Sequence, residues 1–122
     1  RYGIPAADDA DALIAASDGL VVCSENVHHR ALAERCAAAG KHVLCEKPLA
    51  TTPDDAKAMV DACAAAGVLL LTAFPCRFSP AYQRFKAMVH EGEIGEILAL
   101  RGTNQGMCPG GWFVQKELSG GG

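Results

Sequence analysis

Three short, uninterrupted apolar runs lie along the first two thirds of the chain, at residues 20–23, 42–45 and 68–74. Apolar runs of this length that do not alternate with polar residues are typical of strands buried on both faces of a parallel sheet. The sequence therefore predicts three buried strands, of which the run at 68–74 is the longest.

Helical patterns lie before and between these runs, at residues 9–16, 27–39 and 52–66. The third is the best marked, because Thr52 can cap the helix, Pro53 suits its first position and Gly67 can end it. Its apolar positions recur at helical spacing on one face; they are Ala56, Met59, Val60, Cys63 and Ala64. Strands that alternate with helices predict a doubly wound α/β fold with a parallel sheet.

Beyond residue 76 the pattern changes. A fourth helix is predicted from the cap Ser79 to the stop Gly92, with an apolar stripe formed by Tyr82, Phe85, Met88 and Val89. Residues 94–100 are expected to form a strand, and residues 104–122 are rich in glycine without a regular period. We expect a second domain to begin here.

Composition excludes several classes of protein. The 122 residues carry 11 Lys and Arg against 14 Asp and Glu, a net charge of −3, which argues against a nucleic-acid or anionic-membrane surface. The longest uncharged stretch, 62–76, is too short and too interrupted to span a bilayer. The six cysteines show no paired metal-ligand or redox spacing, so we expect no metal and reduced thiols in a cytoplasmic protein; a disulfide framework is the alternative.

The two ends of the sequence indicate a segment of a longer protein. The chain begins with Arg1 rather than Met, shows no signal peptide, and stops at a glycine triplet, residues 120–122. A glycine triplet is a poor place for a domain to finish.

Candidate chemistry lies where the predicted strands end. Residues 24–26, 46–48 and 75–77 follow the three apolar runs and carry polar or charged side chains. Ligands of open parallel sheets bind beyond the carboxyl ends of the strands, so these loops are expected to meet at one crevice. Lys47 is the leading candidate for proton transfer. The alternative is that these side chains are polar only because loops are solvated.

Three further residues each allow a functional and a structural interpretation. His29 opens the second helix and can touch a ligand or pack inside the protein. Arg77 can bind a phosphate or carboxylate, or pair with a surface acid. Trp112, the only tryptophan, can stack on a ring or fill a core. No G-x-G-x-x-G loop opens a helix after a strand in this sequence, so a dinucleotide site would take its pyrophosphate loop from upstream.

Several of these stretches resemble the glucose–fructose oxidoreductase/inositol dehydrogenase family, Gfo/Idh/MocA. GKHVLCEKPLA at 40–50 carries the family's E-K-P element, SENVHH at 24–29 is similar to its T-P-N-x-x-H loop, and RFSP at 77–80 and GEIG at 92–95 also match. The glycines 120–122 resemble the run that precedes the family's aspartate–histidine motif. The resemblance covers nearly the whole chain.

The resemblance implies a fold and a set of site residues. Residues 1–76 would form the latter half of an NAD(P)-binding Rossmann sheet, and residues 77–122 would start an α/β domain with an open antiparallel sheet. Lys47 would be the catalytic lysine, and the cofactor, NAD or NADP, would be bound by Ser24, Asn26, His29, Glu46, Lys47, Pro48, Arg77 and Trp112. The family's acid/base histidine would lie beyond Gly122.

The same resemblance implies the activity. We expect hydride transfer between nicotinamide and a hydroxyl or carbonyl group of a sugar, polyol or cyclitol, in a protein that forms a homo-oligomer when complete. The alternatives are a nicotinamide-binding regulator without net redox, or a segment that is inactive by itself. Glu25 stands where the family usually has proline and Phe113 where arginine is common, so the loop at 24–29 and the recognition of acidic groups depart from the family pattern.

Overall fold

A computed structural model describes residues 3–121, so Arg1, Tyr2 and the last glycine of the C-terminal triplet lie outside the described residues. The chain divides into two compact units. The first contains the residues up to Ala73 together with those from Gly110 onward, and the second contains Phe74–Pro109. The predicted domain division between residues 76 and 77 stays a prediction.

The first unit is built on a three-stranded parallel sheet. Its strands are β1 (Gly19–Val22), β2 (His42–Cys45) and β3 (Leu70–Thr72), in the spatial order β1-β2-β3. Val22 lies beside Cys45, and Cys45 beside Thr72, so the three carboxyl ends are level with one another. This confirms the predicted α/β sheet, with a third strand shorter than its apolar run.

Three helices precede or separate the strands, as the sequence predicts. They are α1 (Ala10–Ala15), α2 (His29–Ala38), which follows a 3₁₀ turn at Asn26–His28, and α3 (Pro53–Ala65). The predicted cap of α3 is confirmed, because Thr52 Oγ1 accepts a hydrogen bond of 3.1 Å from the Asp55 N–H. Gly67 follows α3 with φ of 67°, the left-handed conformation that glycine adopts without strain.

An ion pair joins α2 to α3. Arg30 donates at 2.8 Å both to Glu34 on its own helix and to Asp55 on α3. The hydrogen bond from Arg30, reinforced by one from Thr52, lowers the pKa of the Asp55 carboxyl. Because folding lowers this pKa, the interaction stabilises the fold above the pKa of the unfolded carboxyl, about 4, and is lost as the pH falls through the folded value.

The core of the first unit lies on one face of the sheet. It consists of Ile14, Val22, Ala33, Cys36, Val43, Cys45 and Met59. On the opposite face Val21, Leu44 and Leu71 lie side by side and are 64%, 38% and 60% exposed. The expectation of strands buried on both faces is therefore met on one face only, because the helices of this unit pack on a single side.

The second unit contains a 3₁₀ turn at Pro75–Phe78 and α4 (Pro80–His90). The predicted strand at 94–100 is wrong, since these residues form turns and irregular backbone. A strand requires a neighbour for its backbone hydrogen bonds, and the strands of the described residues all belong to the first unit. The Ser79 side chain makes no capping hydrogen bond to α4.

The C-terminal part of the first unit contains a 3₁₀ turn at Gly111–Val114 and the short helix α5 (Lys116–Ser119). All six cysteines are free thiols; Cys36, Cys45 and Cys63 are buried, and Cys23, Cys76 and Cys108 are exposed. Within residues 3–121 no helix is both long and apolar enough to cross a membrane, and no group of His, Cys, Asp or Glu side chains is arranged to bind a metal.

Candidate functional site

The carboxyl edge of the sheet carries the predicted site. The Glu46 N–H donates to the Val22 carbonyl at 2.9 Å, so the pairing of β1 and β2 continues past the end of β2. The Ala73 N–H likewise donates to the Cys45 carbonyl at 2.8 Å. These backbone bonds set the start of the loop after β1 directly beside Glu46, and they fix where Lys47 leaves the sheet.

Glu46, Lys47 and Pro48 form the outermost part of this edge. The Lys47 and Pro48 residues are exposed and Glu46 is half-buried. The Lys47 N–H donates to Glu46 Oε2 at 3.1 Å, and the Lys47–Pro48 peptide bond is cis. Lys47 is thus an exposed residue at this edge whose backbone N–H is already hydrogen-bonded.

Two polar side chains between the end of β1 and the start of α2 are buried. Asn26 is 9% exposed and donates from Nδ2 to the Ser119 carbonyl at 2.8 Å. His29 is fully buried, with Nδ1 3.0 Å from the Pro48 carbonyl and Nε2 3.1 Å from the Ser24 carbonyl. Ser24 is half-buried and its hydroxyl donates to the Glu25 carbonyl at 3.3 Å. The structure thus brings Ser24 and Pro48 together through their backbone carbonyls at His29, whereas Asn26 is engaged by Ser119.

A contact that the sequence did not predict holds the C-terminal segment against this loop. Gly120 has φ of 86°, and a Cβ atom there would lie 2.7 Å from Cγ2 of Thr51. Together with the Asn26–Ser119 hydrogen bond, this close approach packs the end of α5 against both the loop after β1 and the residues after Pro48. The glycine triplet was the available signal, because glycine is typical of close backbone approach.

Arg77 and Trp112, two further predicted site residues, belong to different units of the chain. Arg77 belongs to the second unit, where its guanidinium lies 5.4 Å from the centre of the Phe74 ring and borders a surface groove of about 410 Å³ shared with Lys86 and His90. Trp112 belongs to the first unit, is half-buried, and stacks on Phe113 with ring centres 3.9 Å apart. Their assignment to the cofactor stays a prediction.

Cys45 lies directly before the Glu46-Lys47-Pro48 segment and is fully buried. Burial, with smaller contributions from the nearby Cys23 and Glu46, raises the pKa of its thiol to about 11. Because the thiolate is the reactive form of cysteine, this raised pKa makes Cys45 a packing residue and not a nucleophile.

Glu46 places a hydrogen-bond acceptor at this edge of the sheet, the kind of group that a ribose hydroxyl requires. Oε2 of Glu46 accepts a hydrogen bond from the Lys47 N–H. The other oxygen of this carboxylate, Oε1, makes no protein hydrogen bond among the described residues, so Oε1 can accept one from a ribose hydroxyl. A pyrophosphate requires a row of backbone N–H groups at the start of a helix, usually in a glycine-rich turn. No such turn occurs within residues 3–121.

Comparison with known proteins identifies the family. Residues 1–74 match the family model described as the oxidoreductase family with an NAD-binding Rossmann fold, GFO_IDH_MocA. The chain therefore belongs to this family of oxidoreductases, and both the predicted resemblance and the Rossmann-type α/β fold are confirmed.

Comparison with individual proteins of known activity extends this finding. The chain is 38% identical over 107 residues to levoglucosan dehydrogenase of Pseudarthrobacter phenanthrenivorans, covering 83% of this chain and 27% of the relative. A second relative, D-glucoside 3-dehydrogenase of Escherichia coli, is 38% identical over 120 residues, covering 94% of this chain and 34% of the relative. The chain thus spans about a third or less of the length of these two relatives.

A solved structure agrees with the fold. The crystal structure of aldose–aldose oxidoreductase from Caulobacter crescentus, complexed with glycerol, superimposes with a TM-score of 0.76 at 33% identity, over 92% of this chain and 35% of that one. The two proteins therefore share this fold over the matched residues.

Proposed function

We propose that this chain is part of an NAD(P)-dependent oxidoreductase that transfers a hydride between nicotinamide and a hydroxyl or carbonyl group of a sugar, polyol or cyclitol. The observation that carries the proposal is the exposed Lys47 at the carboxyl edge of the sheet, in a chain of the NAD-binding family. Ligands of open parallel sheets bind at this edge, which supports a role for Lys47 close to the substrate and the cofactor.

Lys47 is proposed to act on the oxygen of the substrate. When an alcohol is oxidised to a ketone, the carbon gives up a hydride and the hydroxyl gives up a proton. The nicotinamide, when bound, supplies the hydride acceptor. The Lys47 ammonium would donate a hydrogen bond to the reacting oxygen and stabilise the charge that develops there. It would also relay a proton, giving one of its own to the acid/base histidine that the family resemblance implies beyond Gly122 as it takes up the proton of the substrate hydroxyl.

The neighbouring residues are proposed to hold the cofactor. Glu46 would accept a hydrogen bond from a ribose hydroxyl through the oxygen that Lys47 leaves available, and Ser24 and Pro48 would border the same edge. Arg77 and Trp112 are proposed to border the cofactor and substrate, following the family resemblance. NAD and NADP are both compatible with the described residues.

The substrate class follows from the relatives. Levoglucosan dehydrogenase and D-glucoside 3-dehydrogenase are both named for carbohydrate substrates. We place the substrate of this protein in the same broad class, a compound with several secondary hydroxyl groups, without assigning a particular sugar.

Replacement of Lys47 tests the proposal in the complete protein. Lys47→Ala is expected to lower kcat by about 10²- to 10⁴-fold, the usual contribution of a general acid or base, while Kd for the cofactor changes little. Turnover is followed by the absorbance of reduced nicotinamide with a panel of sugars, polyols and cyclitols. Lys57→Ala is the matched control, because Lys57 is an exposed lysine on α3, paired with Asp61.

Two outcomes would contradict the proposal. Unchanged kcat in Lys47→Ala would remove this lysine from the mechanism. A wild-type protein that binds NAD or NADP but turns over none of the compounds in the panel would favour a nicotinamide-binding regulator without net redox.

A further inference from the structure

The fully buried imidazole of His29 lies between the two loops that border the proposed site. Its Nδ1 is 3.0 Å from the Pro48 carbonyl oxygen and its Nε2 is 3.1 Å from the Ser24 carbonyl oxygen. Ser24 follows β1, and Pro48 directly follows Lys47. One side chain at the start of α2 therefore joins the end of β1 to the Lys47 segment.

Both of these oxygens only accept hydrogen bonds, so the ring must be the donor. A neutral imidazole carries one N–H and donates to one of the two carbonyls, whereas the imidazolium carries two and donates to both. The contact with Pro48 is a hydrogen bond in the imidazolium and in the neutral ring that carries its proton on Nδ1. In every form both ring nitrogens face protein carbonyls, and the full burial of the ring removes it from any open cleft.

The backbone around Lys47 is thereby held on both sides. The Glu46 carboxylate accepts from the Lys47 N–H at 3.1 Å, and His29 engages the carbonyl of the next residue, Pro48. Lys47 and Pro48 are themselves exposed and gain little from packing, so polar contacts such as these two matter for holding the segment in place.

We propose that His29 is a positioning residue for Lys47, which acts through the Pro48 carbonyl and does not contact the cofactor. This inference rests on the proposed function, because it concerns the orientation of the lysine assigned there. A displacement of about 1 Å in a catalytic group costs on the order of 10²-fold in rate, so a loosened segment should lower kcat far more than it weakens cofactor binding.

Three substitutions in the complete protein separate the two carbonyl contacts. His29→Asn keeps a donor near the place of Nδ1, facing Pro48, and His29→Gln keeps one near the place of Nε2, facing Ser24. His29→Ala is expected to lower kcat by about 10- to 10²-fold with Kd for NAD or NADP within about twofold of wild type. His29→Asn should recover most of this loss and His29→Gln should not.

The neighbouring His28 supplies the control. His28 is exposed at the end of the 3₁₀ turn, and His28→Ala is expected to leave both kcat and Kd unchanged. Circular dichroism of each variant reports whether the fold is retained. If His29→Ala does not fold, kcat and Kd are compared between His29→Asn and His29→Gln instead.

Several results would overturn the inference. A large increase in Kd for the cofactor with unchanged kcat would make His29 a cofactor contact. Recovery by His29→Gln alone would assign the effect to the Ser24 loop, and loss of folding in both amide variants would make the ring purely structural. A wild-type protein without turnover would instead refute the proposed function, and Kd and circular dichroism would then still report on His29.

Discussion

Helices α3 and α4 begin with the same sequence signature but differ in how much of each helix is buried. Each starts with a hydroxyl residue followed by proline, Thr52-Pro53 and Ser79-Pro80, and each carries an apolar stripe. Helix α3 buries Met59 and Cys63 and is capped by Thr52. Helix α4 buries no residue completely, and Ser79 makes no capping hydrogen bond.

An apolar stripe therefore predicts which face of a helix is available for packing, and not whether that face is covered. In the first unit α3 packs against α2, and Met59 joins the core formed with the sheet. In the second unit Tyr82 and Phe85 of α4 are 60% and 47% exposed. Burial requires a partner surface, which the stripe alone does not specify.

The largest expected effect contrasts two methionines. Met59→Ala removes a fully buried side chain and should lower the free energy of unfolding by about 2–5 kcal/mol. Met88→Ala on α4 removes a half-buried one and should cost about 1 kcal/mol or less. Both changes convert methionine to alanine inside a helix, so the effect of helix propensity cancels in the comparison.

Urea titration followed by circular dichroism measures both variants. Equal losses of stability would show that α4 is packed as tightly as α3, and would break the contrast between the two units. A loss in Met59→Ala below about 1 kcal/mol would show that the core tolerates the cavity.

The second prediction contrasts two thiols. Cys45 is buried with a pKa of about 11, which leaves about one thiolate in a thousand at pH 8, whereas Cys76 in the second unit is exposed. We expect alkylation by iodoacetamide in the native state to be at least about 10²-fold slower at Cys45 than at Cys76. Peptide mass spectrometry after timed quenching gives both rates, and similar rates would show that the sheet edge opens readily.

The smallest expected effect contrasts the two caps. Thr52→Ala removes a hydrogen bond to the Asp55 N–H and should lower the free energy of unfolding by about 1 kcal/mol. Ser79→Ala removes no capping hydrogen bond and should change it by only a few tenths of a kcal/mol. A cost for Ser79→Ala that matches the cost for Thr52→Ala would mean that α4 is capped in solution.

Much of the candidate site follows from local sequence. The apolar run at 42–45 predicts a strand, so Lys47 had to leave a sheet at its carboxyl end. The position of His29 at the start of α2 also follows from the helical pattern, but its two carbonyl partners do not. The partners come from loops 5 and 19 residues away, and no local pattern specifies which of several acceptors a buried ring will meet.

The three strands, the helix between Thr52 and Gly67, and the residues at the strand ends could be read from the sequence alone, because they depend on backbone conformation and on periodicities of a few residues. Three features emerge only in the folded chain: Asn26 bonds to the Ser119 carbonyl, Gly120 lies against Thr51, and residues 94–100 form no strand. Hydrogen bonds and burial between distant segments depend on which surfaces meet, and that is a property of the folded chain as a whole.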